Sequence, residues 1–319
     1  MTWLVTGGAG YIGGHVVAAM RAAGLPIAVL DDLTTGSVDR VPSEVPLMRA
    51  SVLDYDAVLS ALREHAITGV LHLAARKAVG ESVERPLYYY RENVGGFETV
   101  LRAMRTAGVT RMLLSSSAAV YGNPDSVPVS EDVPMRPLSP YGQTKTICEW
   151  LAAAAHRAHG ISHVTLRYFN VVGAANRELA DTGVFNLVPL ALQEISAGRP
   201  PQVFGDDYPT RDGSCVRDYI DVRDLADAHV AAARLLEREC AQVYNVGRGE
   251  GFTVKEVLAA IDRAIGSEHP YRIVERRAGD PASCYAAVDK IEKELGWTAR
   301  LDLDDMVASA WATWPKADT

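Results

Sequence analysis

The segment Thr2–His15, TWLVTGGAGYIGGH, constrains this chain most, because an apolar run stops at a cluster of glycines and an amphipathic segment begins at once. It reads as a strand, a tight turn and a helix. Gly7 can take the backbone angles of the turn, Gly10 lets a pyrophosphate approach the main chain, and Gly13 lets the helix sit close on the sheet. The start of that helix presents N–H groups to phosphate. Glycine-rich turns are common, so the next element carries weight. The apolar run Ile27–Leu30 ends in Asp31 and Asp32, about 20 residues on, where a carboxylate accepts hydrogen bonds from ribose hydroxyls. A 2′-phosphate meets two negative charges and no nearby arginine there, which favours NAD over NADP.

The rest of the chain fits a large α/β protein. Its 319 residues are 48% hydrophobic, enough for one large domain or a domain with a smaller lobe. A net charge of -8 argues against general affinity for nucleic acid or anionic membrane. A phosphate ester must therefore meet local cations. Cys148, Cys215, Cys240 and Cys284 form no C-x-x-C pair and suggest neither zinc nor a disulfide framework. The eight histidines show no i, i+4 pair backed by a carboxylate, so no metal site is predicted. A strand beginning at residue 2 leaves no room for a signal peptide, and no apolar stretch approaches the roughly 18 residues of a membrane span. A cytoplasmic location is expected.

Short apolar runs then alternate with helical segments. Strands are predicted at 46–50, 69–73, 109–115 and 162–168, with helices at 54–65, 87–106 and 139–159. Strands separated by helices pair in parallel through right-handed crossovers, which predicts a doubly wound parallel sheet, a Rossmann fold, over residues 1–170. Beyond Asn170 the rhythm changes to a Gly-, Asn- and Asp-rich loop, a helix at 184–197, short strands at 202–204 and 218–222, and helices at 224–238, 254–265, 289–295 and 303–314. This predicts a smaller α/β substrate lobe over 171–319, some of whose elements return to the Rossmann domain. With no linker visible, the lobe is expected to pack directly on the first domain with a cleft between them.

Chemistry is concentrated after the strand at 109–115, which runs into Ser115-Ser116-Ser117. About two dozen residues later comes Ser139-Pro140-Tyr141-Gly142-Gln143-Thr144-Lys145. Four residues apart on a helix, Tyr141 and Lys145 share a face, and the ammonium is expected to lower the tyrosine pKa from about 10 toward working pH. Such a tyrosine takes a proton from an alcohol, while a serine hydroxyl at the strand end holds the same oxygen. Together with the glycine turn and Asp31, this pattern points to alcohol–carbonyl redox chemistry.

At these residues the sequence resembles the UDP-glucose 4-epimerases of the extended short-chain dehydrogenase/reductase family. The resemblance runs almost end to end, through GGAGYIGGH, HLAARKAVGESV, SSSAAVYG, SPYGQTK, LRYFNVVGA, VFGDDYPTRDG, CVRDYIDVRDLADAH and RRAGDPASCYA. It implies that Tyr141 is the catalytic base and acid, that Lys145 supports it and holds the nicotinamide ribose, and that Ser117 contacts the sugar hydroxyl. For NAD it implies Gly7, Gly10, Tyr11, Ile12 and Gly13, then Asp31, Asp32, Ser51 and Val52. Leu73, Ala74, Ala75, Lys77, Asn93, Ser115 and Tyr168 complete that set, with Tyr141 and Lys145. For the nucleotide-sugar it implies Lys77, Ser117, Tyr141, Asn170, Asn186 and Leu187. Gln202, Phe204, Arg217, Arg277, Asp280 and Cys284 follow, the two arginines facing the pyrophosphate, as guanidinium groups suit bidentate phosphate recognition. The implied reaction is C4 epimerisation of a UDP-hexose through a 4-keto sugar, with NAD regenerated each cycle, in a homodimer built on the segments 87–106 and 139–159.

Departures from the family pattern bear on cofactor and substrate. Ser51 stands where the family usually has an aspartate contacting the adenine. Val171 replaces a common proline, Phe185 stands where some relatives have asparagine, and the loop 174–182 is short. Cys284 matches a position that holds a bulky tyrosine in relatives restricted to unsubstituted hexoses, which implies room for an N-acetyl group and turnover of UDP-GlcNAc and UDP-GalNAc. The alternatives are a C4 epimerase of another nucleotide sugar, such as a uronic acid or a deoxy sugar, a nucleotide-sugar 4,6-dehydratase, or a catalytically silent NAD-binding regulator. Ala118-Ala119 after Ser117 stand where dehydratases carry an Asp-Glu pair, and retention of Tyr141 and Lys145 argues for an enzyme.

Overall fold

The computed structural model describes residues 1–277 and 279–315. Ala278 of the RRAGDPASCYA motif and residues 316–319, at the end of the expected second lobe, lie outside them. In chain order the first elements are β1 (Trp3–Thr6), α1 (Tyr11–Ala22), β2 (Ile27–Asp31), β3 (Leu47–Arg49), α2 (Tyr55–Glu64) and β4 (Gly69–His72). There follow α3 (Val79–Glu84), α4 (Pro86–Tyr89), α5 (Gly96–Ala107), β5 (Arg111–Ser117), α6 (Pro140–His159) and β6 (Ser162–Tyr168). The later elements are β7 (Asn170–Val172), α7 (Leu187–Ser196), β8 (Gln202–Phe204), β9 (Val216–Asp221), α8 (Val222–Leu235) and β10 (Ala241–Val246). The last are β11 (Gly251–Thr253), α9 (Val254–Ile265), β12 (Arg272–Val274), β13 (Ser283–Cys284), α10 (Asp289–Leu295) and α11 (Leu303–Thr313).

Seven strands form the main sheet in the order β10-β6-β5-β4-β1-β2-β3, as the predicted doubly wound fold requires. The strands β1 and β2, β1 and β4, β2 and β3, and β4 and β5 pair in parallel. From β1 the chain winds first toward β3 and then, after β4, the other way. Thr6 and His72 are register partners at the carboxyl ends where this reversal opens a crevice. Among the described residues no helix is long and apolar enough to cross a membrane.

The chain divides into two compact units. One comprises Met1–Gly122, Pro134–Arg167 and Ala226–Tyr244; the other comprises Asn123–Val133, Tyr168–Leu225 and the described residues from Asn245 onward. The first unit buries Leu4, Leu30, Val70, Phe97, Met104 and Met112 in a core to which α6 adds Cys148 and Ala152. The second buries Val188, Leu192, Tyr219, Val257, Ile261 and Met306 between α7, α9, α11 and a small sheet. That sheet runs β11-β9-β13, with β7 also pairing β9, while β12 pairs β8 separately.

Helix starts follow their caps. Asp54 accepts from Ala57 N at 3.1 Å before α2, and Ser139 accepts from Gly142 N at 3.2 Å before α6. The predicted single helix at 87–106 differs from what is found: α4 and α5 are joined by a wider π turn at Tyr90–Gly95, where buried Asn93 takes tertiary hydrogen-bond partners. No strand is predicted at 241–246, where β10 follows the end of α8 and extends the sheet beside β6.

Candidate active site

The glycine turn is built as its residues require. Gly7 has φ +75°, and a Cβ there would lie 2.6 Å from Ala74 N; at Gly13 a Cβ would lie 2.1 Å from Gly7 O. Gly10 is the N-cap of α1, which no side chain caps and whose first turn holds no carboxylate. Its positive end is therefore available to an anion. Leu73 N and Ala74 N both donate to Thr6 O, at 3.0 and 3.1 Å, which brings the β4 loop alongside the turn. Tyr11 is buried and Lys77 is exposed, its ammonium 5.6 Å from the Tyr11 ring centroid.

Asp31 closes β2 with its carboxylate buried, accepting from Ala9 N at 3.0 Å and from Leu33 N at 2.8 Å. Burial pushes it above the ordinary carboxylate range, and those two N–H groups pull it back. Each oxygen keeps a lone pair for a ribose hydroxyl. Glycines a Cβ would block, an uncapped helix start and a carboxylate at the end of β2 together fit NAD.

One expectation fails here. An arginine does stand beside Asp32: Arg76, brought from the β4 loop, places Nη2 3.8 Å from Asp32 Oδ2 and 3.8 Å from Glu92 Oε2. Long-range packing delivers it, which spacing along the chain does not reveal. Because Asp32 and Glu92 flank it, the neighbourhood stays acidic and still disfavours a 2′-phosphate. Asn93 fixes this loop, accepting from Arg76 N at 2.7 Å and donating to Arg76 O at 3.0 Å and Thr144 Oγ1 at 3.0 Å. Ser51 and Val52 are half-buried: the Ser51 hydroxyl accepts from Leu53 N at 3.2 Å, and Val52 packs against Gly96. Ile12 and Ala75 are half-buried beside the turn and the β4 loop.

The first unit brings Tyr141, Lys145, Ser115 and Ser117 together. Lys145 is buried and donates to Ser115 O at 2.9 Å. The phenol of Tyr141 hydrogen-bonds the Ser117 hydroxyl, which also accepts from Ala119 N at 3.2 Å. Burial pushes Tyr141 upward from 10.0, and the Ser117 bond is what pulls it down. The expectation that Lys145 brings Tyr141 down toward working pH is corrected: burial outweighs the lowering, and the lowering that acts comes from Ser117, while the Lys145 ammonium donates to the Ser115 carbonyl. Burial pushes Lys145 itself down, opposed by Cys148 and Glu149.

Behind these groups lies a cluster the sequence analysis missed. Glu149 accepts from Ser116 Oγ at 2.5 Å and from Arg167 Nη2 at 2.7 Å, and Arg167 Nη1 donates to Tyr121 OH at 2.9 Å. The available signal was the run Tyr141, Lys145, Glu149 at steps of four, which puts all three on one helical face.

The second unit gathers another set. Arg217 on β9 is in register with Cys284 on β13; its Nη1 donates to Pro281 O at 2.7 Å, and its Nη2 lies 3.6 Å from Asp280 Oδ1. Exposed Arg277 places its guanidinium 3.7 Å from the centroid of Phe204, the last residue of β8, which Gln202 begins. Burial pushes the Cys284 thiol up to about 11, so it is neutral. Asn170 donates to Asp218 O at 2.9 Å, and Tyr168 is buried. Asn186 is the N-cap of α7 but does not cap it with its side chain, and Leu187 packs on the second core.

A doubly wound sheet with a glycine turn at its reversal and a Tyr-x-x-x-Lys helix beside β5 defines a short-chain dehydrogenase/reductase type of site. The model of the NAD dependent epimerase/dehydratase family matches residues 3–247. A UDP-glucose 4-epimerase of Azospirillum brasilense is 44% identical over 313 residues, 96% of this chain and 90% of that protein. The crystal structure of a UDP-glucose 4-epimerase from Stenotrophomonas maltophila, with bound NAD and formylated UDP-arabinopyranose, superposes with a TM-score of 0.93 at 40% identity, covering 98% of this chain and 97% of that one. The UDP-Glc/GlcNAc 4-epimerase of Campylobacter jejuni does so with a TM-score of 0.87 at 33% identity, covering 98% of each. The chain belongs to the NAD dependent epimerase/dehydratase family, in the branch formed by the UDP-glucose 4-epimerases.

Proposed function

We propose that this protein is an NAD-dependent isomerase that inverts C4 of UDP-hexoses, interconverting UDP-glucose with UDP-galactose and also UDP-GlcNAc with UDP-GalNAc, through a transient 4-keto sugar. The observation that carries this is the convergence of Tyr141, Ser117 and Lys145 at the end of β5, in the unit that bears the glycine turn. NAD, held by Gly7, Gly10, Gly13 and Asp31 and by Lys145, supplies a reversible two-electron acceptor for the carbon that bears the hydroxyl.

Tyr141, as phenolate, takes the proton of the C4 hydroxyl and returns it when the turned-over sugar is reduced on its other face. Ser117 donates a hydrogen bond to that oxygen and so shares the proton's path. Lys145 holds positive charge beneath the pair. Arg217 and Arg277 anchor the pyrophosphate while the 4-keto sugar rotates, supported by Asn170, Asn186, Leu187 and Phe204. Small, neutral and buried, Cys284 leaves space for a C2 N-acetyl group, in keeping with the dual specificity in the name of the Campylobacter jejuni relative.

Purified protein incubated with UDP-galactose and, separately, UDP-GalNAc, without added NAD, tests this by separation of the C4 epimers. Both should convert; failure of both, with NAD then added, rejects the reading. Cys284→Tyr should abolish conversion of UDP-GalNAc and spare UDP-galactose. The protein acts in the cytoplasm, in galactose metabolism, as a homodimer. Exposed Leu87 (83%) on α4 and Trp150 (59%) on α6 support that last point, and light scattering of the purified protein checks it.

A further inference from the structure

Glu149 lies one helical turn beyond Lys145 on α6, and its side chain is 6% exposed; that of Arg167 on β6 is 5% exposed. A buried carboxylate needs full compensation, and this one has it: Ser116 Oγ and Arg167 Nε on one oxygen, Arg167 Nη2 on the other. Arg167 is itself held by Tyr121 OH at 2.9 Å and Met135 Sδ at 3.4 Å.

The arrangement has a direction. Along α6, residues 141, 145 and 149 face β5, where they meet Ser117, the carbonyl of Ser115 and the hydroxyl of Ser116. Two of these rungs sit immediately before Ser117. Without the third, Lys145 alone would tie α6 to β5 behind the Tyr141–Ser117 contact.

We propose that Glu149, locked by Arg167, is a positioning residue of the active site, fixing α6 on the end of β5 so that the Tyr141 phenol meets the Ser117 hydroxyl. This rests on the assignment of Tyr141 and Ser117 as the reacting pair. Charge supports the geometry, because Glu149 also favours the ammonium of Lys145. The other titratable groups of this layer are Cys148 on α6, Tyr121 after β5, and His72 on β4, which burial and Lys145 hold neutral.

The test is a double-mutant cycle on the full chain, read by the pKa of Tyr141. Ultraviolet difference titration against Tyr141→Phe measures that pKa without substrate. Ser117→Ala should raise it in the otherwise unchanged protein, and should leave it unmoved in the Glu149→Gln background, where the contact is already lost. Ser116→Ala, which removes the tether without altering charge, should weaken the Ser117 effect in the same way and serves if Glu149→Gln fails to fold. Alongside, kcat on UDP-galactose should fall at least about tenfold in Glu149→Gln with KM within about twofold, and Glu149→Asp should recover part of it. An equal Ser117→Ala shift in all backgrounds overturns the proposal. Coupled shifts in a protein that turns over no nucleotide-sugar uphold the positioning role and reject the epimerase reading instead.

Discussion

The first unit and the second hold their functional side chains in different ways. At the end of β5 the groups sit on a seven-residue strand and a 20-residue helix and are bonded to one another, Lys145 and Ser115 buried, Tyr141 and Ser117 half-buried. In the second unit Arg217, Phe204 and Cys284 come from strands of six, three and two residues, and Arg277 is exposed. Long elements fix atoms that must be in place when a proton moves. Short strands, a half-buried Arg217 and an exposed Arg277 give a grip whose internal partners, Asp280 and the Phe204 ring, a phosphate can replace.

The sharpest contrast should come from the first unit. Tyr141→Phe is expected to lower kcat by about 10²- to 10⁴-fold while thermal unfolding and KM hardly move. A comparable rise in KM would erase the distinction between the units. Next comes Arg217→Ala, expected to weaken UDP binding about ten- to a hundredfold by calorimetry, the loss of charged hydrogen bonds, with a smaller change in kcat.

A subtler contrast lies in acid–base stability. In the first unit burial pushes His72 down to about 3 and His163 down to about 4, so both are neutral in the fold. Their contribution is complete above the ordinary 6.5 and is lost as pH falls through the acid range. In the second unit burial pushes Asp218 up to about 7, against N–H donors from Ala286, Arg248 and Gly249. Its contribution is complete below 3.8 and is lost as pH rises toward 7. Segment-resolved hydrogen exchange between these limits should therefore show the first unit gaining and the second losing about 1 to 2 kcal/mol of protection as pH rises. Parallel slopes would show that the units unfold as one.

The smallest effect is expected at Arg76. Its two pairs are 3.8 Å long, so Arg76→Leu should change NAD affinity by less than about threefold, in fluorescence titration. A larger loss would make this arginine part of the grip.

What could be read from sequence was local. The turn from Gly7 to Gly13, the strand ending at Asp31, the caps Asp54 and Ser139, and the Tyr141–Lys145 spacing each depend on neighbours within a few residues. The pairing of Glu149 with Arg167, the approach of Arg76 to Asp32 and the addition of β10 to the sheet depend on crossovers that bring distant segments together. Lys145 shows the difference well: spacing put it on the face of Tyr141, but only the fold revealed that its ammonium donates a hydrogen bond to a carbonyl of β5.

The placement of Ser139 and Pro140 has a consequence of its own. They start α6, so Tyr141 is the second residue of a 20-residue helix whose first turn carries no acidic side chain. The aligned peptide dipoles place roughly half a positive charge at that end, a field that favours an anion by about 0.3–1 kcal/mol, and by up to about 2 when partly buried. For Tyr141 acting as the proposed base, part of what would draw the proton off the phenol is then the backbone itself. Unlike an ammonium, that source of potential cannot be titrated away, and it persists at any pH at which the helix is folded.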